Sequence, residues 1–360
     1  MRVQVETAGA AALAIAAFAC TWLAPAGAGA AIPRPENPPL FGYNDNWSDH
    51  LGRIDFTADG GADTTRAVMS WAHVERSPGE FRWRGYDRLY RKMLASRTKP
   101  LWVLADAPCW AQSVPPEVCD ARGHIAFPPS DEHFPSIAGF AARVANRYPK
   151  AVAIETWNEP NLEKYWQPDP EPERAALLSA WINYGVDVVD PEMPVVFGAL
   201  LPTTVNMPGN QIKYKEFIRR AYATVGVGHW DGVSIHPFPS FQQSTHYLRE
   251  IKAHLRRVRS ALRLSGARGT PIWVTEIGLS TEGLRPYTKE QQARGLVRIY
   301  RGLGNMPDVP AVIIHRLIDQ EADHEQTAET GWGVVRRNGR PKPAYCALAR
   351  ERGHGRGCGR

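Results

Sequence analysis

Apolar positions recur along the chain in two rhythms that take turns. Short apolar runs rich in Val and Ile occur near Phe41 and in "TTRAVMSW", "PLWVLADA", "AVAIETW", "PVVFGAL", "DGVSIHPF", "PIWVTEIG" and "AVIIHRLI". Between most of them apolar residues return every three or four positions. These stretches are "YDRLYRKMLAS", "SIAGFAARVANRY", "ERAALLSAWINYGVDVV", "KYKEFIRRAYATV", the Arg-rich stretch after His246, "KEQQARGLVRIYRGL" and "PAYCALARE". The first rhythm predicts buried strands and the second amphipathic helices. The connection after the first strand is the least clear.

Strands that alternate with helices call for a parallel sheet, because a parallel strand returns only through a crossover. Eight such units close into an α/β fold, the (β/α)8 or TIM barrel, here expected as one domain over residues 39–360. An open doubly wound sheet is the competing arrangement. It is disfavoured because no G-x-G-x-x-G follows the first strand and no Walker sequence occurs. Residues 31–38 read as a Pro-rich lead-in, and no internal repeat or long linker divides the rest.

Residues 1–30 change the picture. "AGAAALAIAAFACTWLAPAGAGA" has the apolar length of a signal peptide, with small residues suited to cleavage at its end. Secretion, with no stable membrane insertion once the signal is removed, is the expectation; an uncleaved anchor is the alternative, since Glu6 offsets Arg2. Five cysteines are present, and without Cys20 the rest form two close pairs, Cys109 with Cys119 and Cys346 with Cys358. Short loops of that kind suit disulfides in an oxidising compartment. No C-x-x-C pair supports a zinc ribbon. The formal charge of +6 leaves room for an acidic partner, but no nucleic-acid motif accompanies it.

In such a barrel the working residues project from the C-terminal ends of the strands. The fourth strand ends in Asn158-Glu159 and the seventh in Glu276. Ile272, Val274 and Glu276 share one face, which aims the acid into the barrel mouth. A carboxyl there needs a partner, and Arg66 on the second strand is the best available. Asn158 and Glu159 are neighbours, so both face the mouth only if the strand stops or bulges, with Pro160 suited to that ending. Two carboxyl groups across a concave site point to glycoside cleavage.

Together "WNEPN", "VTEIG", Arg66 and "SIHPF" resemble the clan A glycoside hydrolases, nearest in pattern to families 39 and 5, from about Phe41 to "TGWGVVRRNGRPKPAYCAL". The resemblance implies a retaining glycosidase with Glu159 as acid/base and Glu276 as nucleophile, no cofactor and no metal. Its substrate would be a polysaccharide or oligosaccharide. It places Asn158 on the sugar 2-hydroxyl, and His236 is a further candidate at the site. Two positions depart from the pattern: Phe238 stands where a tyrosine is expected, and His315 near where a Trp is. Among twelve tryptophans, Trp110, Trp157 and Trp166 are candidate sugar platforms because each lies at or after a predicted strand end. Two other functions compete. A carbohydrate-binding barrel without turnover would not need both acids. A metal-dependent hydrolase would want H-x-H where the first strand has "FGYNDNW", and His229, His236 and His315 are too scattered to be a ligand set.

Overall fold

The computed structural model describes residues 39–45, 55–115, 117–119, 127–239, 244–320, 328–355 and 358. The expected signal peptide, the lead-in and the end of "FGYNDNW" lie outside the described residues. Eight parallel strands close into a barrel. They are β1 (Leu40–Asn44), β2 (Thr64–Ser70), β3 (Lys99–Ala105), β4 (Ala153–Thr156), β5 (Val195–Leu200), β6 (Gly232–Ile235), β7 (Ile272–Ile277) and β8 (Ala311–Ile314). Each pairs with its sequence neighbours, and β8 closes on β1 through Leu40 beside Ala311. The Val and Ile runs are explained by burial: β4 to β8 are buried at every position.

Helices follow the strands in turn: α1 (Asp55–Asp59), α2 (Arg84–Ala95), α3 (Phe134–Arg147), α4 (Pro172–Asp187), α5 (Tyr214–Val225), α6 (Tyr247–Leu264), α7 (Lys289–Gly304) and α8 (Pro343–Glu351). Their buried residues repeat every three to four positions, as Ile251, Leu255, Val258 and Leu262 do on α6. The Arg-rich character of α6 therefore belongs to its outer face. Thr288 caps α7 with a reciprocal bond to Gln291, which fixes where that helix starts. Among the described residues of the unclear first connection lies the five-residue α1.

Sequence periodicity did not foresee the one-turn helix Trp71–Val74 or the hairpin of Glu75–Ser77 with Glu80–Phe81. Pieces of two to four residues are too short to show a period. Both expected disulfides are present, Cys109–Cys119 and Cys346–Cys358, each with Cα atoms 5.6 Å apart. Among the described residues, no helix is long and apolar enough to cross a membrane.

Helices α3 and α4 approach so closely at Gly185 that a Cβ there would lie 2.1 Å from the Ala138 carbonyl oxygen. Propensity alone favours Gly185→Ala by about 1 kcal/mol. The clash reverses the sign, and overpacking of this kind costs about 1–3 kcal/mol. Thermal melting should show Gly185→Ala less stable than the parent; a rise in Tm would contradict this account of the helix contact.

Candidate active site

Strand β4 ends at Thr156, and the chain then turns sharply. Trp157 (φ 64°) and Glu159 (φ 44°) both occupy the left-handed region. That region disfavours side chains other than glycine, at a cost of about 1–3 kcal/mol each. The turn brings Asn158 and Glu159 to one site, where a continuous strand would send them to opposite faces. Several bonds hold it. Trp157 N–H donates to the Leu104 carbonyl and its indole N–H to that of Tyr165, at 2.9 and 2.7 Å. Glu159 N–H donates to the Ala199 carbonyl at 3.2 Å. Asn161, fully buried, donates to the Leu201 and Ile212 carbonyls and accepts from Leu201 N–H. The second asparagine of "WNEPN" is thus a clamp on the loop after β5.

Arg66 on β2 sits at the centre. Its Nε donates to Glu155 Oε2 at 2.6 Å, Nη1 to Glu276 Oε1 at 2.5 Å and Nη2 to Asn158 Oδ1 at 2.9 Å. Because β2, β4 and β7 are not neighbours in the sheet, these contacts can meet only across the barrel interior. The expected Arg66–Glu276 pair is present. The second acid on Arg66, Glu155, was not foreseen, although its place within the "AVAIETW" strand marks it as a buried carboxylate needing a cation.

Glu276 is 8% exposed, and both its oxygens are engaged. Oε1 also accepts from Asn44 Nδ2 at 2.8 Å. Oε2 lies 3.1 Å from His315 Nδ1 and 3.7 Å from His236 Nδ1. Burial alone would raise its pKa, but His236, His315 and Arg66 outweigh that and hold the carboxyl well below its ordinary range. Glu276 is therefore built to stay ionised.

Glu159, also 8% exposed, has its Oε1 2.7 Å from His236 Nδ1. His236 is fully buried and its Nε2 has no partner among the described residues. A proton on Nδ1, shared with Glu159, leaves no buried donor unpaired. Glu159, His236 and Glu276 each place one atom within 4.8 Å of the others. Three such donors are also a minimal cation set, but the Arg66 guanidinium already supplies positive charge to Glu276, which opposes a second cation there. Tyr165, not singled out from the sequence, belongs to the same neighbourhood. Its phenol pKa is raised first by burial and then by the charges of Glu159 and Glu276.

The three tryptophans do not present open faces to this site. Trp166 is fully buried with its indole N–H on Glu171, and Trp157 is 2% exposed and packs edge-on against Trp166. Trp110 is half-buried between Trp71 and His133, its N–H donating to the Glu75 carbonyl. Their strand-end positions suggested platforms, but the loops fold them inward as packing. The aromatic group beside Glu276 is instead Phe238, His315 and Trp332. Phe238 lies 5.0 Å from Trp332 and 5.6 Å from His315 between ring centroids. Trp332 rests on Gly278, where a Cβ would lie 2.7 Å from the indole ring. The motif "TEIG" therefore carries a glycine where the His315 carbonyl oxygen, 2.3 Å from such a Cβ, and the Trp332 ring both approach closely. Trp332 escaped notice because it lies well beyond the end of β8.

Residues 135–312 match the family model described as glycosyl hydrolase catalytic core. No curated protein matches the chain. Several solved structures share its fold. A family 39 glycoside hydrolase from the gut symbiont Bacteroides cellulosilyticus superposes with a TM-score of 0.64 at 21% identity, over 86% of this chain and 63% of that one. A monomeric beta-xylosidase from Caulobacter crescentus gives 0.65 at 18%, over 87% and 68%. A family 5 enzyme from Streptomyces cattleya gives 0.60 at 16%, over 89% and 82%. The chain thus spans less than two thirds of the Bacteroides protein's length. The model match runs from α3 to β8 and includes both candidate acids, and the barrel around it has the fold of clan A enzymes of families 39 and 5; residues 135–312 are similar to a glycosyl hydrolase catalytic core.

Proposed function

We propose that the protein is a retaining β-glycosidase that cleaves oligosaccharides or polysaccharides by double displacement, with Glu159 as acid/base and Glu276 as nucleophile. One observation carries this reading: the two carboxylates bring oxygens within 4.8 Å of each other. Retaining pairs lie about 5–5.5 Å apart, whereas inverting pairs need about 6.5–9.5 Å to admit a water.

The environments of the two acids fit opposite roles. Glu276 is held ionised by His236, His315 and Arg66. Among the described residues Glu159 has a single side-chain partner, His236 on Oε1, so Oε2 is available to hand a proton to the leaving oxygen. Once Glu276 becomes the glycosyl ester its charge is gone, and Glu159 can take a proton from the attacking water. Asn158 spends its Oδ1 on Arg66, which leaves its Nδ2 to donate to a sugar hydroxyl. The order at this site is thus cation, nucleophile and amide in one network.

Secretion fits the two disulfides. The Caulobacter neighbour, a beta-xylosidase, makes β-xylosides reasonable first substrates to try. A binding barrel without turnover is the competing reading. It gives no reason for two acids to be held in contrasting environments.

Three measurements test the proposal. Glu276→Gln should abolish turnover of an activated aryl β-glycoside. Glu159→Ala should slow substrates with poor leaving groups by roughly 10²–10⁴-fold, and azide should restore turnover of a substrate whose leaving group needs no acid. Normal activity in either variant would remove the assignment. Arg66→Lys keeps a charge but loses the fork that bonds Glu276, Asn158 and Glu155 together. The Glu276 carboxylate is then less stabilised, so the acidic limb of the kcat/KM pH profile should move to higher pH. An unmoved limb would show that Arg66 does not set the ionisation of Glu276.

A further inference from the structure

The two oxygens of Glu276 are not held alike. Oε1 takes two strong donors, the Arg66 guanidinium at 2.5 Å and the Asn44 amide at 2.8 Å. Both donors are themselves buried, Arg66 at 1% and Asn44 at 8% exposure, and both stand on barrel strands. Among the described residues Oε2 meets only imidazoles, His315 Nδ1 at 3.1 Å and, more distantly, His236 Nδ1 at 3.7 Å. His236 already bonds Glu159 at 2.7 Å, which leaves His315 as the main partner of Oε2.

We propose that Oε2 is the attacking oxygen of Glu276 and that His315 is the residue that positions it; this rests on the retaining reading above. The chemistry of the ester decides between the oxygens. In the first step the Oε2–C1 bond forms, the bond from C1 to the leaving oxygen breaks, and the Glu159 proton goes to that oxygen. Oε2 becomes the bridging ester oxygen, a poor acceptor. Oε1 becomes the carbonyl oxygen and still accepts two hydrogen bonds. Attack through Oε1 would take from Arg66 and Asn44 their shortest acceptor and leave Arg66 Nη1 with only the long contact to Asn44 Oδ1 at 3.4 Å, which is costly for a buried guanidinium. Attack through Oε2 releases only His315. In the second step water attacks C1, the C1–Oε2 bond breaks and a water proton returns to Glu159.

His315 has somewhere to go when it is released. Its Nδ1 also lies 3.1 Å from Asn44 Nδ2, which can only donate. While Glu276 is charged, Nδ1 carries a proton and points it at Oε2. After the ester forms, loss of the Nδ1 proton to solvent and uptake of one from solvent on Nε2 let the neutral ring accept from Asn44 through Nδ1. The half-buried position of His315 leaves Nε2 able to exchange that proton. His315 packs edge-on against both Phe238 and Trp332, neither of which offers a competing acceptor.

The test combines two variants with a trapped intermediate. His315→Ala should lower kcat on an aryl β-glycoside by about 10- to 100-fold, the loss expected when the attacking oxygen is no longer held in line with C1, with KM changed much less. His315→Asn, whose amide can replace the Nδ1 donor, should recover most of that loss, which a purely packing role would not produce. The crystal structure of the wild-type enzyme inactivated by 2,4-dinitrophenyl 2-deoxy-2-fluoro-β-xyloside or -β-glucoside should show the sugar on Oε2, with Oε1 still bonded to Arg66 and Asn44. A sugar on Oε1, or full activity in His315→Ala, would overturn the assignment while leaving the retaining reading intact. Absence of any adduct on Glu276 with either probe would overturn both.

Discussion

The structure depends on one buried cation. Arg66 is 1% exposed and binds Glu155, Glu276 and Asn158 across the barrel, linking β2, the end of β4 and β7. Two carboxylates against one guanidinium leave a net negative cluster among these three, and the low dielectric of the interior makes every unpaired member expensive. The arrangement is stable because the fork of Arg66 matches three acceptors at once. It also fixes a function: Glu276 is held ionised in a place where burial alone would protonate it.

Around that cation the site divides labour by environment. Glu276 faces Arg66, Asn44 and His315; Glu159 faces only His236 among the described residues. Two identical side chains thereby meet different partners: Glu276 is held ionised, while Glu159 keeps one oxygen without a side-chain partner among the described residues. The left-handed turn at Trp157 and Glu159 is the local strain that this convergence requires, and the buried amide of Asn161 helps to hold it.

Much of this was legible in the sequence because the signals were periodic or paired. Buried parallel strands leave apolar runs, and each of the eight runs overlaps a barrel strand. The reach of Arg66 to Glu276 followed from alternation within β7 and from the need of a buried acid for a cation. What escaped was carried by tertiary packing. Trp157 and Trp166 lie where platforms would stand, but their indole N–H groups find partners inward, at Tyr165 and Glu171, and the rings follow. Trp332 reaches the site from a distant loop by resting on Gly278, and nothing in the spacing of the chain announces that contact. His315 read as a departure from a pattern; in the fold it is the donor nearest to one oxygen of Glu276.

The stereochemical course of hydrolysis tests the central claim most directly. Proton NMR of the first-formed product of an aryl β-glycoside, recorded before mutarotation, should show the β-anomer, since two displacements at carboxylates this close restore the starting configuration. An initial α-anomer would mean a single displacement by water and would contradict the roles given to Glu159 and Glu276.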